Sequence, residues 1–198
     1  MRAYEPLSYE DLPAQVRNVL PPDAAPAVRL AAARGNLPFV TQDLVASLYF
    51  LTGDADPQIR GHARKTLLEL PETLKLTALS SDLHPKILHW FAHHKAGDRE
   101  YQDRILLNRA TADETFVHIA ASSPEPASLE MIAQSEERIL RAPEILEALF
   151  NNPRAPVSSV QRAAEFFRLQ TGRDYYEALR AAGPRGRRAG GGDFRRGT

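Results

Sequence analysis

The chain has 198 residues, 43% of them hydrophobic and 25% charged. That is a globular composition, long enough for one domain or a small two-part stack with a real core. It has no cysteine, which excludes disulfides and thiolate metal sites and fits a reducing compartment. Lys and Arg together number 25, as do Asp and Glu, so net charge favours no charged partner. The opening MRAYEPLSYEDLP has no apolar core of the kind a signal peptide needs. No run approaches the roughly 18 apolar residues of a membrane span. Neither segment is expected, and the chain reads as cytoplasmic with no membrane partner.

Residues 8–20 are the first helical stretch, with Ser8 as cap, Asp11 at the third helical position and a stripe of Leu12, Val16, Val19 and Leu20. Pro13 falls within its first turns and Pro21-Pro22 ends it. Pro26 opens a second helix, with Val28, Leu30 and an alanine run, that Gly35 stops. Thr41 caps the next. There Leu44, Val45, Leu48, Tyr49, Phe50 and Leu51 cover nearly the whole circumference, the mark of a buried helix. Residues 42–51 are therefore expected at the centre of the N-terminal half.

Asp56-Pro57 pairs a capping carboxylate with a residue preset for the first helical turn. Ile59, Ala63, Leu67 and Leu70 follow at helical spacing until Pro71. A shorter run carries Leu74, Leu76 and Leu79, and His84-Pro85-Lys86-Ile87 then restarts the pattern 28 residues after Pro57. Two short helices per unit, at a spacing of tens of residues, are the mark of an α-solenoid.

The helix from Pro85 to about Lys95 places Ile87, Trp90, Phe91 and His94 on its apolar face, with His89 and His93 on the opposite, solvent side. Asp98 caps a run through Tyr101, Ile105 and Leu106, and Thr111–Glu114 reads as a capping box before Phe116, Val117 and Ile119. Pro124 and Pro126 precede a helix with Leu129 and Ile132, and a run through Ile139 and Leu140 follows. Pro143 opens a helix with Ile145, Leu146, Leu149 and Phe150. Pro156 opens one with Val157, Val160, Ala164 and Phe167, closed by Gly172. Residues 174–181 form a last cap helix. No segment alternates apolar and polar residues as a half-buried strand would, so the fold class is all-α.

The units resemble those of the leucine-rich repeat variant family, in which N-P-x-T-P leads into an apolar run and Asp-Pro-x-x-Arg restarts it. The resemblance rests on Asp56-Pro57-Gln58-Ile59-Arg60 and on Asn152-Pro153-Arg154-Ala155-Pro156 with Val160. A looser copy, Asn108-Arg109-Ala110-Thr111 with Phe116, stands 44 residues before the second, and Ser123–Pro126 with Leu129 is looser still. It spans about residues 54–167 and implies an α-solenoid, HEAT-like in its stacking, that acts as an interaction scaffold. The iron–sulfur cluster of some family members sits on cysteines, which this chain lacks.

Domain organisation follows: a capping helix at 1–22, a repeat domain at 23–181 and a disordered Gly/Arg tail at 182–198. From Arg180 onward the chain carries six arginines and one aspartate, leaving the remainder at −5. Six of the eleven glycines lie there too, a composition that buries too little apolar area to order itself.

Candidate chemistry is sparse. His89 and His93 have the i, i+4 spacing of paired imidazole ligands, but Trp90 stands where an H-E-x-x-H motif has glutamate, so they read as solvated histidines and no metal is expected. His94 reads as a packed histidine at the edge of the core. Ser80-Ser81 and Ser122-Ser123 read as helix caps, and Glu136-Glu137 as a solvated helix start. Gly190–Gly192 follows no strand and makes no phosphate cradle. No catalytic or cofactor-binding residue is assigned. The expected function is a non-enzymatic module that binds another protein or peptide on its curved face. The alternative is association with nucleic acid through Arg185, Arg187, Arg188, Arg195 and Arg196, beside the aromatic pair Tyr175-Tyr176.

Overall fold

The computed structural model describes residues 5–173, and these are all helical in their regular structure, with no strand. The last cap helix, the Gly/Arg tail, Tyr175-Tyr176 and the five candidate arginines lie outside the described residues. A 3-10 turn at Tyr9–Asp11 leads into α1 (Ala14–Val19), α2 (Pro26–Ala33), α3 (Thr41–Leu51) and α4 (Pro57–Glu69). Then come α5 (Glu72–Leu79), α6 (Pro85–His94), α7 (Arg99–Leu107) and α8 (Asp113–Ser122). The last four are α9 (Pro126–Ala133), α10 (Glu136–Arg141), α11 (Glu144–Asn151) and α12 (Val157–Thr171). None of these helices is long and apolar enough to cross a membrane.

Proline and glycine set the boundaries. Pro26, Pro57, Pro85 and Pro126 each stand at a first helical position, and Gly35 and Gly172 end α2 and α12 at φ 72° and 68°. Only glycine reaches that left-handed region freely. Asp56 caps α4 by accepting from the Gln58 amide at 2.8 Å, and Asp98 caps α7 by accepting from Glu100 and Tyr101.

Four local expectations are corrected. The helix read over 8–20 is broken at Leu12-Pro13, because the ring of Pro13 forbids a helical residue before it. Thr41 is the first residue of α3 rather than its cap, which is Val40. The capping box at Thr111–Glu114 does not form. The buried Thr111 hydroxyl donates instead to the Ile105 carbonyl, and the cap of α8 is Ala112. Finally, Val19, Val28 and Val157 face solvent, since each lies one step off the face its short helix packs.

The helices pack in two rows. In one, α5 lies on α7, α7 on α9 and α9 on α12; in the other, α6 lies on α8 and α8 on α11. At the N-terminal end α3 packs against α1, α2, α4 and α5. It is buried as expected: Val45 and Leu48 are fully enclosed, with Tyr49 and Leu51 nearly so. Tyr49 meets Trp90 edge to face at 6.0 Å, Trp90 meets Phe91 at 4.9 Å, and Phe91 reaches Tyr101 at 6.0 Å. This aromatic line carries the core from α3 through α6 to α7.

Helices this short leave much of their backbone unpaired at the ends. Two asparagines answer that at equivalent places. The Asn108 amide donates to the Leu79 and Ser81 carbonyls at 2.7 and 2.8 Å, while its own carbonyl accepts from Ala110 N at 2.9 Å. The Asn152 amide donates to Ala120 and Ser123 at 2.8 and 3.0 Å, while its carbonyl accepts from Arg154 N at 2.9 Å. Each asparagine closes one turn and ties it to the end of a helix about thirty residues earlier in the chain. Asp54 occupies the corresponding turn after α3. It accepts from Asp56 N at 2.8 Å and from the Arg29 guanidinium.

Two outcomes follow. Leu48→Ala should cost on the order of 2–5 kcal/mol in urea unfolding, as for a fully enclosed leucine. A loss below about 1 kcal/mol would place α3 at the surface. Asn152→Ala strands two carbonyls and an amide, at roughly 1–3 kcal/mol for each group left buried. Asn151→Ala beside it removes only an exposed bond to Glu147 and should be near neutral. Equal effects of the two alanines would contradict the bridging role.

Candidate functional site

A cleft of about 820 Å³ lies over α6 and α8, closed on its far side by the α10–α11 junction. Its walls include His89, His93 and His118, together with Asp113, Glu114, Arg141 and Glu144.

The histidines of α6 are not arranged as the helical spacing alone implies. Ile87 through Ala92 are all buried, because α6 is covered by α7 on one side and α8 on another. His89, expected in solvent, is only 3% exposed, and His93 is half-buried. His94, expected to pack at the core edge, is the exposed one, lying over Trp90 with ring centres 3.9 Å apart. The spacing correctly placed His89 and His93 on a common face. That face is covered by α8, which local sequence does not reveal.

The three imidazoles form one cluster. His89 Nδ1 lies 2.9 Å from the Thr115 hydroxyl, and its Nε2 lies 3.1 Å from His93 Nε2. The His93 ring stacks on His118 at 3.5 Å, with 25° between planes. His118 hydrogen-bonds the Ala92 backbone, while its Nε2 is buried without a partner. Burial first, then the neighbouring histidines, lowers His89 and His118 to about 4 from 6.5. His93 is lowered for the same leading reason. All three are neutral at pH 7.

Beside them, Asp113 at the start of α8 is clamped by two arginines of α10. Arg138 donates to it at 2.7 Å, and Arg141 does so through Nε and Nη2 at 2.6 and 2.7 Å. Hydrogen bonds from Arg141, opposed by burial and reinforced by Arg138, hold its carboxyl below the ordinary value. Arg138 also donates to Thr111 O at 2.8 Å and lies 4.1 Å over the Phe116 ring. The clamp sets two guanidinium charges against one carboxylate. Glu114 and Glu144 remain as the cleft's exposed carboxylates.

Sequence reasoning missed His118, Asp113, Arg138 and Arg141. One signal existed: His118 follows His89 by 29 positions, about one step of the proline pattern. Among the described residues no three His, Asp or Glu side chains are gathered closely enough to hold a metal ion between them. The serine pairs do cap helix ends. Ser80, Ser81 and Ser122 donate to carbonyls four residues back, and Ser123 donates to Gln102 while accepting from Glu125 N. Glu136 and Glu137 are exposed at the start of α10. No family model, curated protein or solved structure matches the chain.

The cluster gives a pH signature with a definite sign. Between pH 6.5 and about 4 the unfolded chain binds protons at His89 and His118 that the folded chain refuses. Acidification through this window therefore favours unfolding, and above it the penalty is absent. Two carboxylates act lower, as pH falls below their ordinary 4.5 and 3.8: Glu72, which hydrogen bonds from Tyr101 and then Lys75 hold at about 2, and Asp113. His118→Gln should reduce the slope of log unfolding constant against pH by about one proton within the upper window. Superimposable slopes for the two proteins would contradict the buried neutral state of His118.

Proposed function

We propose that this chain is an α-solenoid interaction module, without catalysis of its own, that binds a protein or peptide segment in the cleft over α6 and α8. The observation that carries this is the repeated turn. Asn108 and Asn152 make the same three hydrogen bonds, 44 residues apart, each binding a turn to the helix end of the preceding unit. These recurring bonds support the repeat reading, and Asn152 and, more loosely, Asn108 belong to the segments that resemble leucine-rich repeat variants. Stacked repeats present continuous surfaces, and binding is what such surfaces commonly do. The cleft spans side chains from α6, α8, α10 and α11, so a bound segment would read several successive units. Its mixed lining of apolar Val117 and Ala142 with charged Glu114 and Glu144 suits a peptide.

A second reading, association with nucleic acid, rests on the arginines between 185 and 196. The two separate cleanly in one experiment. Tagged full-length protein, a Val117→Arg variant and a chain ending at residue 182 are used to recover partners from the source cell, with folding checked by circular dichroism. The module reading expects recovery to survive the truncation and added salt and to be lost in Val117→Arg. Loss on truncation together with steep salt sensitivity would instead assign binding to the arginines, because counterion release drives such contacts.

A further inference from the structure

We propose that His89 and His93 are a two-imidazole chelate for a divalent transition-metal ion of the zinc, copper or nickel class, held at the floor of the cleft with its remaining coordination positions open. The inference is independent of the solenoid reading.

The geometry begins with helical spacing. Residues four apart on α6 project to the same side, and here both present Nε2. Those nitrogens are 3.1 Å apart. Two ligands at about 2.0–2.1 Å from one zinc ion, roughly at right angles or slightly wider, have nearly that separation. The ring centres are only 4.7 Å apart, closer than an end-on N–H···N contact would set them, so the two nitrogens do not point straight at each other.

His89 is also held from behind. Its Nδ1 meets the buried Thr115 hydroxyl at 2.9 Å. In the tautomer that donates Nδ1–H to Thr115, the lone pair lies on Nε2, the usual arrangement of a metal-binding histidine. One proton then lies between the His89 and His93 nitrogens. On metal binding His93 changes tautomer, its proton passing from Nε2 to Nδ1, so both Nε2 lone pairs are free, no proton is lost and both imidazoles stay neutral. Their burial helps, since unprotonated nitrogens are what the metal needs.

A second observation points the same way. His118 Nε2, in the ring stacked on His93, is a buried nitrogen with no donor facing it. The cleft's rim adds the exposed carboxylates Glu114 and Glu144, while Arg138 and Arg141 are held on Asp113. Nitrogen ligands select zinc, copper or nickel over magnesium or calcium, which prefer oxygen. With only two protein ligands the site stays open, and water or a carboxylate or imidazole entering the cleft completes it.

The test is calorimetric titration of the full chain with Zn²⁺, Cu²⁺ and Ni²⁺, alongside His93→Gln, Thr115→Val and His94→Ala. The expected result is one saturable ion per chain, with affinity reduced at least 100-fold in His93→Gln. Thr115→Val should weaken it about 10–100-fold through the lost support. His94→Ala, on the same helix but facing solvent, should leave it unchanged. Should His93→Gln fail to fold, nitrogen NMR of the wild-type chain decides. Zinc must then shift the ring nitrogens of His89 and His93 and not those of His94. Absence of saturable binding, or binding indifferent to His93→Gln, would overturn the proposal and leave the cluster as packing alone.

Discussion

Short stacked helices must satisfy their own ends, and this constraint governs the rest of the molecule. Twelve helices in the described residues, none longer than 15 residues, leave many carbonyls and amides without a partner inside their helix. At the surface water serves; at buried helix ends it does not. Asn108 and Asn152 solve the problem with a side chain that donates twice and accepts once, and so join three backbone positions. Gln102 and Ser123 extend the second bridge. Asn152 donates to Ser123 O, Ser123 Oγ donates to Gln102 at 2.8 Å, and Gln102 donates to the Ala96 carbonyl. A line of polar contacts thus runs from the α11–α12 turn back to the loop after α6. Each link is worth little as a net bond but much if left half-made in a buried place. The links tie the turns before α8 and α12 to the ends of α5 and α8.

That arrangement also explains the histidine cleft. Once α8 is set against α6, His118 has no place but against His93, and Thr115 none but beside His89. The arginines of α10 close the other wall by reaching back to Asp113. Arg138 and Arg141 are held on Asp113, and neutral imidazoles and two exposed carboxylates line the rest of the cleft. Fold and site are therefore linked by the same interhelical register.

How much of this could be read in the chain depended on whether a signal was local. Helix starts were legible because proline acts through its own ring, as at Pro26, Pro57, Pro85 and Pro126. The stop at Gly172 was legible because a left-handed residue without Cβ costs least there. The buried helix at Thr41–Leu51 announced itself by being apolar all round. Thr111 misled, since the hydroxyl that suits a cap found a nearer acceptor in the Ile105 carbonyl. The histidines misled more seriously. Polarity put His89 in solvent, whereas a neutral imidazole with Thr115 for a partner is at home in the interior. Which helix covers which is decided by residues 25 to 32 positions away, and no window of the sequence holds both sides of such a contact.

Asn108 and Asn152 fasten the α7–α8 and α11–α12 turns to earlier helix ends, and amide hydrogen exchange at Ala110 and Arg154 tests this most directly. These two amides lie in turns, where exchange is ordinarily fast, and each donates to an asparagine side chain. If the asparagines fasten these turns, both amides open only when the flanking helices open. Their protection should then match that of a core amide of α8 such as Ile119. Exchange at Ala110 and Arg154 near the rate of an unstructured peptide, with Ile119 still protected, would show turns that move independently of the helices and would contradict the account.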